Sequence, residues 1–371
     1  MRRLTVLLAA AMVLLLLSAC AGEELIRDLP TDPDPTTEST ATVTDRETDP
    51  TGPEPTETEP VETEPPEERF YLTFAGDCTF GSQPGTYYAG WGFVKTIGED
   101  YGWPFRNVME WFGNDDFTMV NLEGTLCDGG TPVPKSYNFR GPTEYVQILT
   151  QNSVEAVTLA NNHTMDYGQA GYDSTITTLE DAGMPYVEKQ STLLYTTSSG
   201  LTIGIYAEEY TAMSFDLLCE QVALLREQGA ELIVYAVHWG DEGHFYPQQH
   251  QMDYARKVID AGVDIVYGHH PHVLQPIEEY NGGIIFYSLG NFSFGGNMYP
   301  GDRDTVVLQQ EVIREGDDVR LGELTVIPCC CSSIPDRNNY QPTPYEEGPE
   351  EYQRVLDKLA GLWRGRTAGL D

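Results

Sequence analysis

The sequence predicts an α/β layered domain, and three of its features carry that prediction. From Phe70 onward, short apolar runs alternate with stretches of helical periodicity, the pattern of strands connected by helices. The runs are nearly continuous in apolar residues, as expected of strands covered on both faces. Five of them end in a carboxylate, an amide or an imidazole, which neither strand propensity nor core packing explains.

In chain order the strand-like runs are "FYLTFAG" (70–76), "FTMVNLEG" (117–124), "VEAVTLAN" (154–161), "LTIGIYA" (201–207), "ELIVYAVHWG" (231–240), "VDIVYGHH" (263–270) and "GGIIFYSLGNF" (282–292). Helical patterns fall at 104–113, 143–151, 168–182, 216–229 and 248–262. "TVVLQQEVI" and "VRLGELTVIP" follow as two antiparallel strands. The segment 349–363 then places Tyr352, Val355, Leu356, Leu359 and Leu362 on one helical face. No internal repeat is evident, so residues 69–365 are expected to form one domain.

Ahead of that domain lie two segments of different character. "MRRLTVLLAAAMVLLLLSAC" has a basic start and an apolar stretch, too short and wrongly flanked for a stable span, and reads as a secretory signal over 1–20. Its Leu-Ser-Ala-Cys ending resembles the bacterial lipobox, in which Cys20 takes lipid and becomes the mature N-terminus; the plainer alternative is a cleaved signal with a chance cysteine. Residues 21–68 are rich in Pro, Thr, Asp and Glu and nearly devoid of apolar side chains, so they are expected to be a disordered tether. Proline and self-repelling charge would extend it to a reach on the order of 100 Å. The chain is therefore expected at the outer face of the cell membrane, held by its lipid.

The formal net charge is −37. Sixteen acids against Arg27 and Arg46 fall in residues 21–68, and the remainder stays strongly acidic. Such a chain argues against nucleic acid as a partner and against holding any polyanion by bulk charge. The seven cysteines contain no Cys-x-x-Cys pair, which disfavours a zinc ribbon. Outside the cell the six after Cys20 have two readings, disulfides or packed thiols.

The strand ends carry the chemistry. Asp77 follows the first run, Glu123 the second, Asn162 and His163 the third, His238 the "LIVYAVH" run, and His269, His270 and His272 the "VDIVYG" run. In open α/β sheets that edge is where ligands sit. Two carboxylates, an amide oxygen and several imidazoles suit divalent ions such as Mn²⁺, Fe²⁺ or Zn²⁺. A carboxylate such as Glu123 can bridge two such ions, the arrangement that activates water and stabilises a leaving oxygen. Each residue alone also has a plainer reading: Asp77 could cap a turn, Asn162 form an Asx turn, His163 be a satisfied loop histidine. His244 and His250 read as loop and helix-start residues.

At these residues the sequence resembles the CapA family, capsule-synthesis proteins associated with poly-γ-glutamate, within the calcineurin-like metallophosphatase superfamily. The blocks are "AGDCTFG" (75–81), "NLEG" (121–124), "ANNHTMDYG" (160–168), "HWGDE" (238–242), "GHHPHVLQPIE" (268–278) and "YSLGNFSFG" (287–295). The resemblance implies a four-layer α/β/β/α sandwich with a two-ion centre at the strand ends. It implies that Asp77 ligates one ion, Glu123 bridges, Asn162, His238 and His270 hold the second, and His272 returns to the first. His163 would donate a proton to the leaving group, oriented by Asp166. The superfamily has Asp-x-His at the first strand, whereas Thr79 stands in the histidine's place here. Whether His269 or His270 ligates stays open, with His270 favoured because His270-x-His272 keeps the superfamily spacing.

Two functions are then expected. One is a metal-dependent hydrolase-like protein acting on a capsule or wall polymer such as poly-γ-glutamate, an anionic partner met at the membrane, with a capsule-synthesis membrane complex as its setting. The other is a non-catalytic factor for polymer export or retention whose metal site is structural or vestigial. A phosphatase of small soluble metabolites is a third option. The histidine–aspartate pair favours catalysis; Thr79 and the acidic composition favour the second.

The lipobox-like ending generates a direct test. Cells fed a fatty-acid probe should label the wild-type chain and leave Cys20→Ala unlabelled, and equal labelling of both would remove the anchor.

Overall fold

A computed structural model of the chain describes residues 66–365. The expected signal over 1–20, the lipidation site Cys20 and nearly all of the expected tether lie outside the described residues. The end of that tether, Glu67 and Glu68, instead opens the first strand, where the two residues pair with Glu315 and Arg314. Among the described residues no helix is long and apolar enough to cross a membrane.

In chain order the elements are β1 (Glu67–Thr79), α1 (Phe93–Ile97), α2 (Met109–Phe112), β2 (Phe117–Leu122), β3 (Thr125–Leu126), β4 (Arg140–Gly141), α3 (Val146–Thr150), β5 (Ala156–Thr158) and α4 (Gly168–Asp181). They continue with β6 (Tyr186–Val187), β7 (Ser191–Thr196), β8 (Thr202–Glu209), α5 (Phe215–Glu227), β9 (Leu232–His238), α6 (Gln249–Asp260) and β10 (Ile265–His269). The last are β11 (Ile277–Tyr280), β12 (Gly283–Phe286), β13 (Asn291–Phe294), β14 (Asp304–Glu315), β15 (Asp318–Cys330), β16 (Thr343–Pro344) and α7 (Glu350–Leu359).

These elements form the four layers that the resemblance implied. One sheet runs β16-β15-β14-β1-β2-β5-β6 with β13 beside the end of β1, the other β11-β12-β10-β9-β8-β7. The sheets meet through one apolar core, in which Leu72, Phe74 and Met119 of the first face Ile205, Val234, Ala236 and Phe286 of the second. A second core under α1–α4 covers the outer face of the first sheet, and a third under α5 and α6 covers the second. Each fully buried Leu, Ile or Phe contributes about 1.5–3 kcal/mol. That is why these strands lack the polar alternation of a half-exposed sheet.

Two elements differ from the sequence reading. Only Met109–Phe112 of the expected helix 104–113 is helical. The preceding turns close through bonds from Trp103 N–H to the Asp100 oxygen and from Val108 N–H to the Phe105 oxygen. Its apolar spacing reflects Phe105, Val108 and Phe112 pointing into one core, which tight turns satisfy as well as a helix does. The run 282–292 is two strands in two sheets: β12 pairs with β10, while β13 crosses to pair with β1. Gly290, at φ +68°, makes the crossing, and its carbonyl accepts the Asp77 N–H at 2.8 Å. Gly76 cannot carry a side chain there, because a Cβ would lie inside van der Waals contact of that carbonyl. The cysteines in the described residues are free thiols, so packing rather than bridging explains them.

The register of β1 on β2 shifts between Phe74 and Asp77. Tyr267 of β10 reaches across from the other sheet, and its buried hydroxyl meets the carbonyl oxygens of Ala75 and of Met119, the latter at 3.0 Å. Tyr267→Phe should therefore lower the unfolding free energy by about 1–3 kcal/mol, the cost of leaving a buried acceptor unpaired. Urea unfolding of both chains measures it, and an unchanged midpoint would remove the tie.

Candidate metal centre

The parallel strands of both sheets end at one place. β1 brings Asp77, β2 brings Glu123 just past its end, and the turn after β5 brings Asn162 and His163. β9 brings His238, and β10 with its following turn brings His269, His270 and His272. Asp77, Glu123 and His238 offer donor atoms within 4.8 Å of one another, as do Glu242, His270 and His272. All but Asn162 and Glu242 are largely or wholly buried.

Glu123 is the centre of the arrangement. It is completely buried, and neither carboxylate oxygen has a hydrogen-bond partner. Its Oε1 stands 3.7, 3.8 and 3.9 Å from Nε2 of His163, His238 and His272. Those separations are too long for hydrogen bonds. They are close to the roughly 3–3.5 Å between donors that share one ion at bonds of about 2.1 Å. His238 Nδ1, His269 Nε2 and His270 Nδ1 are likewise buried without a partner. So many orphaned donors of mixed oxygen and nitrogen type fit a divalent cation, because native proteins rarely bury such groups unsatisfied.

Charge coupling follows from this crowding. Burial, with the neighbouring Asp77 charge added, pushes the Glu123 carboxyl well above the usual carboxylate range. Burial works in the same direction on Asp77, but its bonds to His269 and His272 outweigh it and hold that carboxyl well below the range. Burial also opposes the charge on His272, yet Glu123, Asp77 and Glu242 prevail and lift the imidazole to about 9. Desolvation, then its histidine neighbours, push His238 well down and His270 to about 4. Neutral imidazole is the form that binds a cation.

The stretch "NNHTMD" divides its labour. Asn161 is a tie: its amide nitrogen donates to Asn121 Oδ1 and the Leu122 carbonyl, while its oxygen accepts the His163 N–H. Asn121 in turn donates to Asp77 Oδ1 at 2.9 Å, so one amide chain fixes three strand ends. Asn162 Oδ1 lies 3.1 Å from His238 Nε2. His163 Nδ1 is 2.7 Å from Asp166 Oδ2, and its ring packs on Phe139. Burial lowers the His163 pKa despite that carboxylate.

The structure also separates the two candidate histidines. His270 lies in the group with Glu242 and His272, whereas His269 is in neither group and sets Nδ1 2.9 Å from Asp77 Oδ1. Thr79 offers no donor inward, since its hydroxyl binds the Glu123 carbonyl at 2.8 Å. His244 and His250 stand apart, in a loop and in the first turn of α6.

Glu242, Asn291, Asn121 and Lys135 belong here although the sequence reading did not single them out. Glu242 sits four positions after His238 inside a block already conspicuous. Asn291 accepts from His272 Nδ1 at 2.9 Å and, like Asn121, is an amide close to a recognised strand end. Lys135 lies 2.5 Å from Asp166 and 3.2 Å from His163 Nδ1, and nothing in its loop "TPVPKSYNF" announces it. Beside the cluster opens a cavity of ≈ 520 Å³. His163, Glu242 and His272 line it together with Trp91, Tyr137, Phe294 and Tyr299, and no lysine or arginine does so among the described residues.

Glu123 generates a test with opposite signs. A raised folded-state pKa costs nothing at acid pH, and the cost grows as pH climbs past the ordinary carboxylate value. Without metal, the stability of Glu123→Gln relative to wild type should therefore rise from pH 5 to pH 8. With Mn²⁺ at a hundredfold its dissociation constant, wild type should gain about 2.7 kcal/mol for each ion bound and the variant clearly less. Thermal melts at both pH values, with and without metal, check both arms.

The sequence has relatives. The family described as bacterial capsule synthesis protein PGA_cap matches residues 71–296. "Capsule biosynthesis protein CapA" of Bacillus anthracis is 28% identical over 291 residues, covering 70% of this chain and 67% of that one. "PGA biosynthesis protein CapA" of Bacillus subtilis is 29% identical over 293 residues, covering 72% and 74%. Among solved structures, the calcineurin-like phosphoesterase YfkN from Bacillus subtilis is similar at 14% identity and a TM-score of 0.42, over 74% of this chain and 95% of that one. Because the family match over 71–296 spans most of the described fold and all of the clustered strand ends, the chain belongs to the PGA_cap family of bacterial capsule synthesis proteins.

Proposed function

We propose that this chain is a lipid-anchored, metal-dependent hydrolase-like protein acting outside the cell on a capsule or wall polymer such as poly-γ-glutamate. The polymer is the one that the relatives' names point to, since PGA biosynthesis is what the Bacillus subtilis protein is named for. The observation that carries the chemistry is the pairing of an unpartnered, buried Glu123 with His163, whose Nδ1 is held by Asp166. A purely structural cation site has no use for an oriented imidazole at its edge.

The residues would act as follows. Glu123 groups with Asp77 and His238, the last beside Asn162, while His270 and His272 group with Glu242; the donors thus divide otherwise than the resemblance implied, yet two groups still favour two ions of the Mn²⁺, Fe²⁺ or Zn²⁺ class. Bound there, such ions would polarise the scissile carbonyl or phosphoryl oxygen and lower the pKa of water. Asp166 holds Nδ1 of His163, so the proton this residue passes to a leaving group moves at Nε2, the atom facing Glu123. Lys135 anchors Asp166 from its other oxygen and keeps the pair in place. The aromatic cavity takes the chain of the substrate and excludes water from it.

The second reading, a non-catalytic export or retention factor within a capsule-synthesis membrane complex, is favoured by one observation. The cavity presents acids and aromatics without a cationic side chain, so a polyanion gains nothing there from charge.

Neighbouring substitutions separate the readings. Asn162→Ala should lose bound metal and the thermal stability that metal confers. His163→Ala should keep its metal while hydrolysis of poly-γ-glutamate or a phosphoester falls about 100-fold or more. Substrates with good leaving groups should be partly spared. Elemental analysis and turnover, side by side, decide: equal metal loss in both makes His163 a ligand, and no change in either leaves the export reading.

A further inference from the structure

Glu242 is the side chain at the centre that no motif role absorbs. It follows β9 in the tight loop Trp239–Gly243, where Gly240 and Gly243 take φ of +89° and +73°. Two backbone bonds lock that loop onto the histidine turn: Trp239 N–H to the His269 carbonyl at 3.0 Å, and Gly243 N–H to the Pro271 carbonyl at 2.8 Å. Pinned on both sides, Glu242 is held against His270 and His272, and the three offer donors within 4.8 Å of one another.

The turn itself is strained toward the same point. His270 and His272 have φ of +99° and +56°, a region that residues with side chains enter at a cost and keep only where the surroundings fix them. His270 also precedes Pro271, which narrows its choices further. Its Nδ1 is buried without a partner, and the residue is only 8% exposed. β1, by contrast, supplies Asp77 alone, because the Thr79 hydroxyl is occupied by the Glu123 carbonyl. Three carboxylates also come closer than two to neutralising a pair of divalent cations.

We propose that Glu242 is a direct metal ligand, completing with His270 and His272 a second cation position beside the one built from Asp77, Glu123 and His238. A set of two imidazoles and one carboxylate suits zinc, iron(II) or manganese. Because Glu242 also lines the aromatic cavity, this position is the one that a substrate entering there meets first. The proposal rests on the metal-centre reading above but can fail separately from it.

The test is metal content and affinity of the full chain, with Mn²⁺ and Zn²⁺ as probes, for wild type, Glu242→Ala and Glu242→Asp. The residue is half-buried at a cavity wall, so its truncation opens no core void. Metal-free melts of all three chains verify that the fold is kept. Wild type should bind two ions. Glu242→Ala should bind one, a loss beyond the 10–100-fold weakening typical of an outer-shell partner. Glu242→Asp should recover the second ion in part. Undiminished binding of both ions by Glu242→Ala overturns the assignment and leaves the centre standing. A wild type that binds no ion overturns the assignment and the centre together.

Discussion

A carboxylate sealed from water with no hydrogen bond is the constraint around which this fold is arranged. Burying an ionised group without compensation is among the costliest things a protein can do, and Glu123 is buried completely at the junction of two sheets. Every element that meets there presents it with a nitrogen or an oxygen at a distance suited to sharing a cation. The sheets cannot slide relative to each other without breaking that convergence. Tyr267, bridging from β10 to β1 and β2, and Asp77, set against His269, fix the relative position.

The polar scaffold behind the donors is as ordered as the donors. Asn161, Asn121 and Asp77 form one chain of amide and carboxylate contacts across β1, β2 and the turn after β5. Asn291 clamps His272 from β13, the strand that leaves one sheet to join the other. Such outer contacts set the direction of each donor and its tautomer. They also explain backbone features that would otherwise be liabilities, among them the close approach at Gly76 and the left-handed residues around Pro271.

Electrostatically, the centre and its cavity are of one sign. Asp77, Glu123, Asp166 and Glu242 cluster in a chain already carrying −37, and Lys135 is drawn in to Asp166. A strongly negative interior attracts cations and repels anions, so under the proposed function bound cations would be what makes the site compatible with an acidic substrate. Selectivity for a polymer would then come from shape and from the aromatic walls rather than from basic side chains.

By itself the sequence determined the layered α/β class, most of the strands, and the fact that carboxylate, amide and imidazole gather at strand ends. These are properties of local pattern: apolar runs of strand length, helical periodicity, and polar residues placed where a strand must stop. It did not determine that "GGIIFYSLGNF" is two strands in two sheets, nor that 104–113 is mostly turns, because packing against a common core produces the same spacing in either case. Nor could it separate Asn161, which ties strands together, from Asn162, which faces His238. That distinction depends on which way a side chain points after the turn closes. Glu242 and Lys135 reach the site only because a loop pinned to the histidine turn and a proline-rich loop fold over it. Contacts between residues far apart in sequence leave no mark in local pattern, so only the tertiary structure could decide them.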